Sequence, residues 1–495
     1  MAQDGRVPGG ASGVTRLLGI DEGTSAVKAA LYDAELNPIA EARREKPLSH
    51  PRPGWVEQDP ELVLAAVVDA VAEVLERAPG GIDACGLDHQ GESVLAWEAA
   101  TGRPLTPIIT WQDKRSQEIL DRVEQEGRAD EVTARSGMPL DPYFSAGKIG
   151  WLLEHDEAVG RALAAGELRI GTVDSFLCDR LGAGFATDPS TASRTQLGAP
   201  EWDPKLLEVF GVPRSVLPAI RDTAGDLGTL SHPSWPVELP LRARCVDQQA
   251  ALAGAGCVRP GLVKATYGTG VFVLAHAGGE RPSPRGGLLP TIAWRVGGRV
   301  EWAIDGGVFT AGALLEWLAH DLGLAADPAG LAAAAASVED AAGVKVLPAL
   351  AGVGAPWWKP DARAVIAGLT AGSRPAHVAR AALDAIAWRV ADIVAAVRET
   401  TPVDVLRVDG GLTRDQTLLA LQADFAGVTV QRGLVDATAA GAAALAAVGA
   451  GIWSSTLEIE ERIPVGETVE PTRGSEWRAA SHAEWREFVE RAAVL

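Results

Sequence analysis

The sequence predicts an α/β protein made of two duplicated halves that face each other across a cleft. Segments of strand and helix character alternate along the chain, the signature of that class. Two hairpins of one design open the two halves, one at Leu17–Tyr32 and one at Leu262–Ala275, each with a Gly-Thr tip. The length, 495 residues, exceeds the roughly 250–300 at which a single core stops growing.

The first hairpin pairs the apolar run Leu17, Leu18, Ile20 with the returning run Val27–Tyr32, around the tip Asp21-Glu22-Gly23-Thr24-Ser25. Gly86-Leu87-Asp88 reads as a buried strand. It places Gln90-Gly91-Glu92-Ser93 at a strand end, where open α/β sheets hold ligands. Asp247-Gln248-Gln249 opens an alanine-rich helix that runs to Gly256. Arg259-Pro260-Gly261 punctuates the chain, so the expected division is a tail at 1–14, one domain at 15–258 and a second at 259–495. The second hairpin has the tip Thr266-Tyr267-Gly268-Thr269-Gly270. Further on, Val403–Val408 is a strand, Asp409-Gly410-Gly411 a tight turn, and Thr413 or Asp415 the cap of a helix. A helix rich in Ala and Gly from about Ala437 is expected to pack beside this unit.

Composition narrows the function. The formal net charge of −20 argues against a nucleic-acid or anionic-membrane partner, which needs a basic face. Any phosphate must then be attracted locally, by backbone N–H groups and a metal ion. Cys85, Cys178, Cys245 and Cys257 form no CxxC pair, which speaks against a zinc site or a disulfide framework and fits a reducing cytoplasm. Met1–Gly13 lacks the apolar core of a signal peptide, and no run approaches the roughly 20 apolar residues of a membrane span.

Four constellations carry chemistry. The two Gly-Thr tips can present backbone N–H groups and the hydroxyls of Thr24, Ser25 and Thr269 to phosphate, with Asp21 beside the first tip as a candidate for Mg²⁺. Taken singly, each tip reads first as an ordinary hairpin turn, and the two together with the adjacent acid strengthen the phosphate reading. The Gly410-Gly411 turn could lie against a nucleotide or simply join strand to helix. Asp247 is a helix-start carboxylate or a general base. Glu92 is a loop acid or a ligand to substrate.

In this order the units resemble the FGGY carbohydrate kinases, most closely their glycerol-kinase branch, from about Leu17 to Trp453. The motifs that carry the resemblance are the first hairpin, Gly54-Trp55-Val56-Glu57-Gln58-Asp59-Pro60, the stretch Tyr143–Trp151, Ala192-Ser193-Arg194-Thr195, Asp247–Leu252, the second tip, and Gly368-Leu369-Thr370 with the helix through Trp388. The resemblance implies an actin-like ATPase fold, with a ribonuclease-H-like core in each half, and ATP-dependent phosphorylation of a small polyol. Glycerol is the leading acceptor, a longer polyol such as a tetritol or a ketopentose the alternative, and a non-catalytic ATP-binding clamp a third reading.

It also implies roles. Asp247 would be the catalytic base, with Asp21 and Asp247 at Mg²⁺. Thr24, Ser25, Gly268 and Thr269 would contact phosphates, and Gly312, Glu316, Gly411 and Asp415 would hold the nucleotide. Glu92, Tyr143, Asp247 and Gln248 would bind polyol hydroxyls against the apolar wall of Trp111 and Phe272. Relatives of this kind are often homodimers or homotetramers. Four positions depart from the branch. Gly91 stands where it has arginine, which removes a charged donor and is expected to leave space for a longer acceptor. Val246 replaces a glycine, and Glu316 and Asp415 replace amides.

Overall fold

The computed structural model describes residues 15–283, 286–434 and 437–495; the tail expected at 1–14 lies outside the described residues. Each half is built on the same sheet. In the N-terminal half the strand order is Thr229–Leu230, Leu239–Val246, Ala84–His89, Leu17–Glu22, Ala26–Tyr32, Pro38–Glu45. In the C-terminal half it is Leu289–Val296, Arg299–Val308, Val271–Gly278, Gly261–Tyr267, Val403–Asp409, Thr429–Arg432, Thr468–Val469. In both, an antiparallel meander begins with the hairpin, and the hairpin's first strand then pairs in parallel with a later one: Leu17–Glu22 with Ala84–His89, and Gly261–Tyr267 with Val403–Asp409. That repeated plan is the actin-like duplication.

Local chemistry explains the elements. Ala84–His89 is buried throughout, as a strand covered on both faces must be. Helix Pro60–Arg77 starts where Asp59 accepts from Glu61 N at 2.8 Å and Leu62 N at 3.4 Å, with Pro60 in the first turn. Its buried residues Val63, Val67, Val71 and Val74 join the core of the N-terminal sheet. A small four-stranded sheet, Glu57–Gln58, Ile108–Ile109, Val94–Glu98 and Leu168–Thr172, sits in this half, with Gln58 on its edge strand and Trp111 just beyond the neighbouring one.

The Ala437–Gly449 helix forms, but it does not lie beside the 403–421 unit. It packs on the N-terminal half, across strands Leu17–Glu22, Ala84–His89 and Leu239–Val246 and along helix Asp247–Gly254. Glycine permits this approach. A Cβ on Gly86 would stand 2.0 Å from the carbonyl oxygen of Ala442, and one on Gly441 would stand 1.8 Å from that of Ala250. Backbone therefore meets backbone, and the last large helix before the C-terminal segments is part of the first half's core.

The four cysteines are buried and unpaired. Among the described residues no helix is long and apolar enough to cross a membrane.

Candidate active site

The first hairpin tip is held by side chains. Gln58 Nε2 donates to Thr24 O at 2.7 Å, and Trp111 Nε1 donates to Thr24 Oγ1 at 2.9 Å. Beneath it, Gln90 Nε2 donates to Gln58 Oε1 at 2.7 Å and to Glu22 Oε1 at 3.1 Å, and Glu22 pairs with Lys46. Burial pushes the Lys46 ammonium down to about 7, against the pull of Asp21. Ser93 Oγ donates to Gln90 Oε1 and accepts from Trp111 N, so the Gln90–Ser93 loop is the hub that joins the tip to Trp111. Ser25 stands exposed at the tip.

Asp21 and Asp88 sit opposite each other on neighbouring parallel strands. Asp247 opens helix Asp247–Gly254 close by, its Oδ1 accepting from Gln248 N at 2.6 Å. Burial, reinforced by the charges of Asp21 and Glu92, pushes the Asp247 carboxyl up to about 7. Burial and the charges of Asp21 and Asp247 push Asp88 well above the usual carboxylate range. Among the described residues no three His, Cys, Asp or Glu side chains are grouped so as to hold a metal ion by themselves. The carboxyl groups of Asp21 and Asp88 face each other within hydrogen-bond reach, with Asp247 nearby. That donor set suits Mg²⁺, which keeps waters and takes its other ligands from phosphates.

Glu92, Tyr143, Asp247, Gln248 and Phe272 line one polar chamber of about 20 Å³, together with Val246, Arg194 and Asp305. Arg194 Nε donates to Glu92 Oε1 at 2.7 Å, and its Nη1 donates to Asp305 Oδ2 at 2.8 Å, which joins the two halves across the cleft. Burial alone would lower the Arg194 pKa, but Glu92 and Asp305 outweigh it and hold the guanidinium firmly cationic. Burial, then the Glu92 charge, raises Tyr143, whose phenol stays neutral and able to donate. Lys148 Nζ donates to the carbonyls of Tyr143 and Phe144 at 2.6 and 3.1 Å and so fixes the loop that carries the ring. Gln248 Oε1 accepts from the buried Lys264 Nζ at 2.8 Å, which orients the amide. Trp111 stands behind Tyr143, edge to face with ring centres 5.6 Å apart, rather than in the chamber wall.

Gly91 leaves no space. A Cβ there would meet Val246 Cγ1 at 3.0 Å, so the valine side chain takes up volume beside the glycine. The charged donor of the chamber is Arg194.

A second cavity, of about 480 Å³, gathers Gly268, Thr269, Gly312, Glu316 and Gly411 from three separate segments. Gly410 makes the turn into it with φ +95°, its Cα within reach of the Tyr267 backbone, where a Cβ would lie 2.2 Å from Tyr267 O. Asp415 is not in this wall: its Oδ1 accepts from Thr417 N at 2.8 Å and Leu418 N at 3.2 Å, capping helix Gln416–Ala426.

Sequence reasoning missed Arg194, Asp305, Asp88 and Gln58 as site residues. Arg194 and Gln58 stood inside quoted motifs, and their residue types were the available signal.

Comparison with known proteins adds the following. Residues 16–254 match the model of the FGGY family of carbohydrate kinases, N-terminal domain, and residues 263–450 that of its C-terminal domain. The chain is 42% identical over 486 residues to the glycerol kinase of Citrifermentans bemidjiense, covering 96% of this chain and 98% of that protein. It is 41% identical over 487 residues to the glycerol kinase of Aromatoleum aromaticum, with the same coverage. Among solved structures, Plasmodium falciparum glycerol kinase with ADP superposes with a TM-score of 0.92 at 29% identity, over 97% of this chain and 98% of that one. A xylulose kinase from Brucella ovis gives 0.84 at 25% identity, over 95% and 96%.

Proposed function

The chain belongs to the FGGY family of carbohydrate kinases, and from that premise we propose that it transfers the γ-phosphoryl group of ATP to a hydroxyl of a small polyol, glycerol yielding glycerol 3-phosphate. The observation that carries this is the half-buried carboxylate of Asp247, which lines the polar acceptor chamber and neighbours Asp21 beside the first hairpin tip.

In this reading Glu92, Tyr143, Arg194 and Gln248 bind the hydroxyls, and Phe272 lies against the carbons. Asp247 accepts the proton of the attacking hydroxyl as its oxygen bonds to phosphorus and the bond from phosphorus to ADP breaks. Phosphoryl transfer needs mainly alignment and charge stabilisation, so a base that engages late suffices. Gly268, Thr269, Gly312 and Gly411 hold the nucleotide, with Glu316 at the rim, while Thr24 and Ser25 face the phosphates. Mg²⁺, held at Asp21 with Asp88 and Asp247 at hand, would neutralise phosphate charge. Asp415 acts on this site only by setting helix Gln416–Ala426. We assign residues 15–258 and 259–495 to the two domains, the cytoplasm as the compartment, and a homodimer or homotetramer as the assembly to test by light scattering.

ADP release measured with glycerol, longer polyols and ketoses tests the proposal. Release with glycerol, abolished by Asp247→Asn while ATP-dependent thermal stabilisation persists, is expected. Stabilisation by ATP without ADP release from any acceptor would overturn it.

A further inference from the structure

We propose that the acceptor site continues beyond the polyol head into an apolar chamber, so that the enzyme also phosphorylates vicinal diols bearing a short alkoxy or alkyl tail. The proposal rests on the polyol-kinase reading above and names a substrate class for that same site.

The polar chamber does not end at Phe272. A second space of about 140 Å³ shares Tyr143, Arg194, Phe272 and Asp305 with it and extends outward. Charged groups gather at the shared end and at Asp141, and the far walls are Leu289, Phe309 and Trp358. Phe309 is 46% exposed and Trp358 40%, so two of the chain's exposed large apolar side chains face one chamber. Scattered exposed apolar residues are ordinary, but a facing pair beside a substrate site points to a ligand that covers them.

The walls are built rather than incidental. Trp358 Nε1 donates to Gly287 O at 3.0 Å, and a Cβ on Gly287 would overlap the indole, 1.8 Å from Nε1. Gly354 seats the Phe309 ring, where a Cβ would stand 3.1 Å from its atoms. Gly307 lies directly opposite Phe272 on the adjacent strand, and a Cβ there would meet only the Phe309 ring, at 3.8 Å. A glycine thus keeps the floor open where any side chain would enter the space.

Size and polarity select the occupant. A dry cavity of roughly 150 Å³ lined by Leu, Ile and Phe holds benzene, so this chamber takes a tail of several carbons. Tyr143, Arg194, Asp305 and Asp141 offer partners at parts of the chamber, but hydroxyls set against Leu289, Phe309 and Trp358 would lose water without gaining any, which favours an apolar substituent there over a longer free polyol. The reaction at the head is unchanged: the terminal hydroxyl oxygen bonds to phosphorus, ADP leaves, and the proton goes to Asp247.

The test compares kcat/KM for glycerol and for 3-propoxypropane-1,2-diol in the wild type, Gly307→Ala and Gly307→Leu, with melting curves to verify folding. The wild type is expected to use the propoxy diol at least as well as glycerol. Gly307→Leu is expected to lower the propoxy diol at least tenfold and leave glycerol within about twofold, with Gly307→Ala in between. Turnover of glycerol with rejection of the propoxy diol by the wild type overturns this inference and leaves the polyol-kinase reading intact. Equal loss on both acceptors in folded Gly307 variants also overturns it. Absence of turnover with every acceptor overturns both.

Discussion

The two hairpin tips share a design and are held in opposite ways. At the first, side chains from distant segments grip one threonine, Gln58 its carbonyl and Trp111 its hydroxyl. At the second, backbone does the work: Gly312 N donates to Gly268 O at 3.0 Å, and Ala311 N and Ala313 N donate to Thr269 O at 2.9 and 3.1 Å. Gly268 and Thr269 remain exposed to the cavity they share with Gly312 and Gly411. The first tip is therefore wired through Trp111 to Tyr143 and the polar chamber, whereas the second is pinned by backbone beside the larger cavity. One motif, duplicated, has become a coupling element in one half and a fixed cradle in the other.

The largest expected effect lies between the tips, at the carboxylate the acceptor chamber turns toward them. Asp247→Asn should lower kcat/KM by about 10²–10⁴. In the wild type Asp247 accepts a proton only when ionised, so kcat/KM should climb as pH rises and level off above about 7. Stability follows the opposite sign. The folded protein holds this proton more tightly than the unfolded chain, so the ligand-free protein loses stability from the usual carboxylate range up to about pH 7. Asp247→Asn without ligand should accordingly melt no lower than the wild type at pH 8.

A smaller effect isolates the cradle. A Cβ on Gly312 would stand 2.6 Å from Gly268 O, and Gly312→Val should cost about 1–3 kcal/mol by overpacking. By displacing Gly268 from its place beside the cavity it should also raise the KM for ATP, while the KM for the acceptor stays put. The coupled tip should behave otherwise. Trp111→Phe keeps a ring against Tyr143 but removes one hydrogen bond, worth about 0.5–1.5 kcal/mol. KM values for ATP and acceptor should both rise, by roughly twofold to tenfold; a rise in the acceptor's alone would mean that Trp111 does not link the first tip to the acceptor chamber.

What the sequence made legible was local. Gly-Thr tips, an Asp at a helix start and a Gly-Gly turn advertise their chemistry within a few residues, and each lies beside the cavity or carboxylates it suggested. Arg194 was not legible as a site residue, because its partners Glu92 and Asp305 lie 102 and 111 positions away. Gly91 misled for the same reason: the vacancy it implied is closed by Val246, far along the chain. At Asp415 a local rule decided the outcome, since capping takes the side chain away from the nucleotide cavity. The Ala437–Gly449 helix was readable as a helix, but its alanines are buried nearly all round, so no apolar stripe indicated its partner.

That helix has a consequence for any attempt to cut the protein in two. A fragment ending at residue 258 would lack the segment its own sheet closes on, and the complementary piece would carry a greasy, unmatched rod. Split versions should recover only when both pieces are made together, whereas a circular permutant that keeps the rod tethered to the amino-terminal sheet should fold unaided.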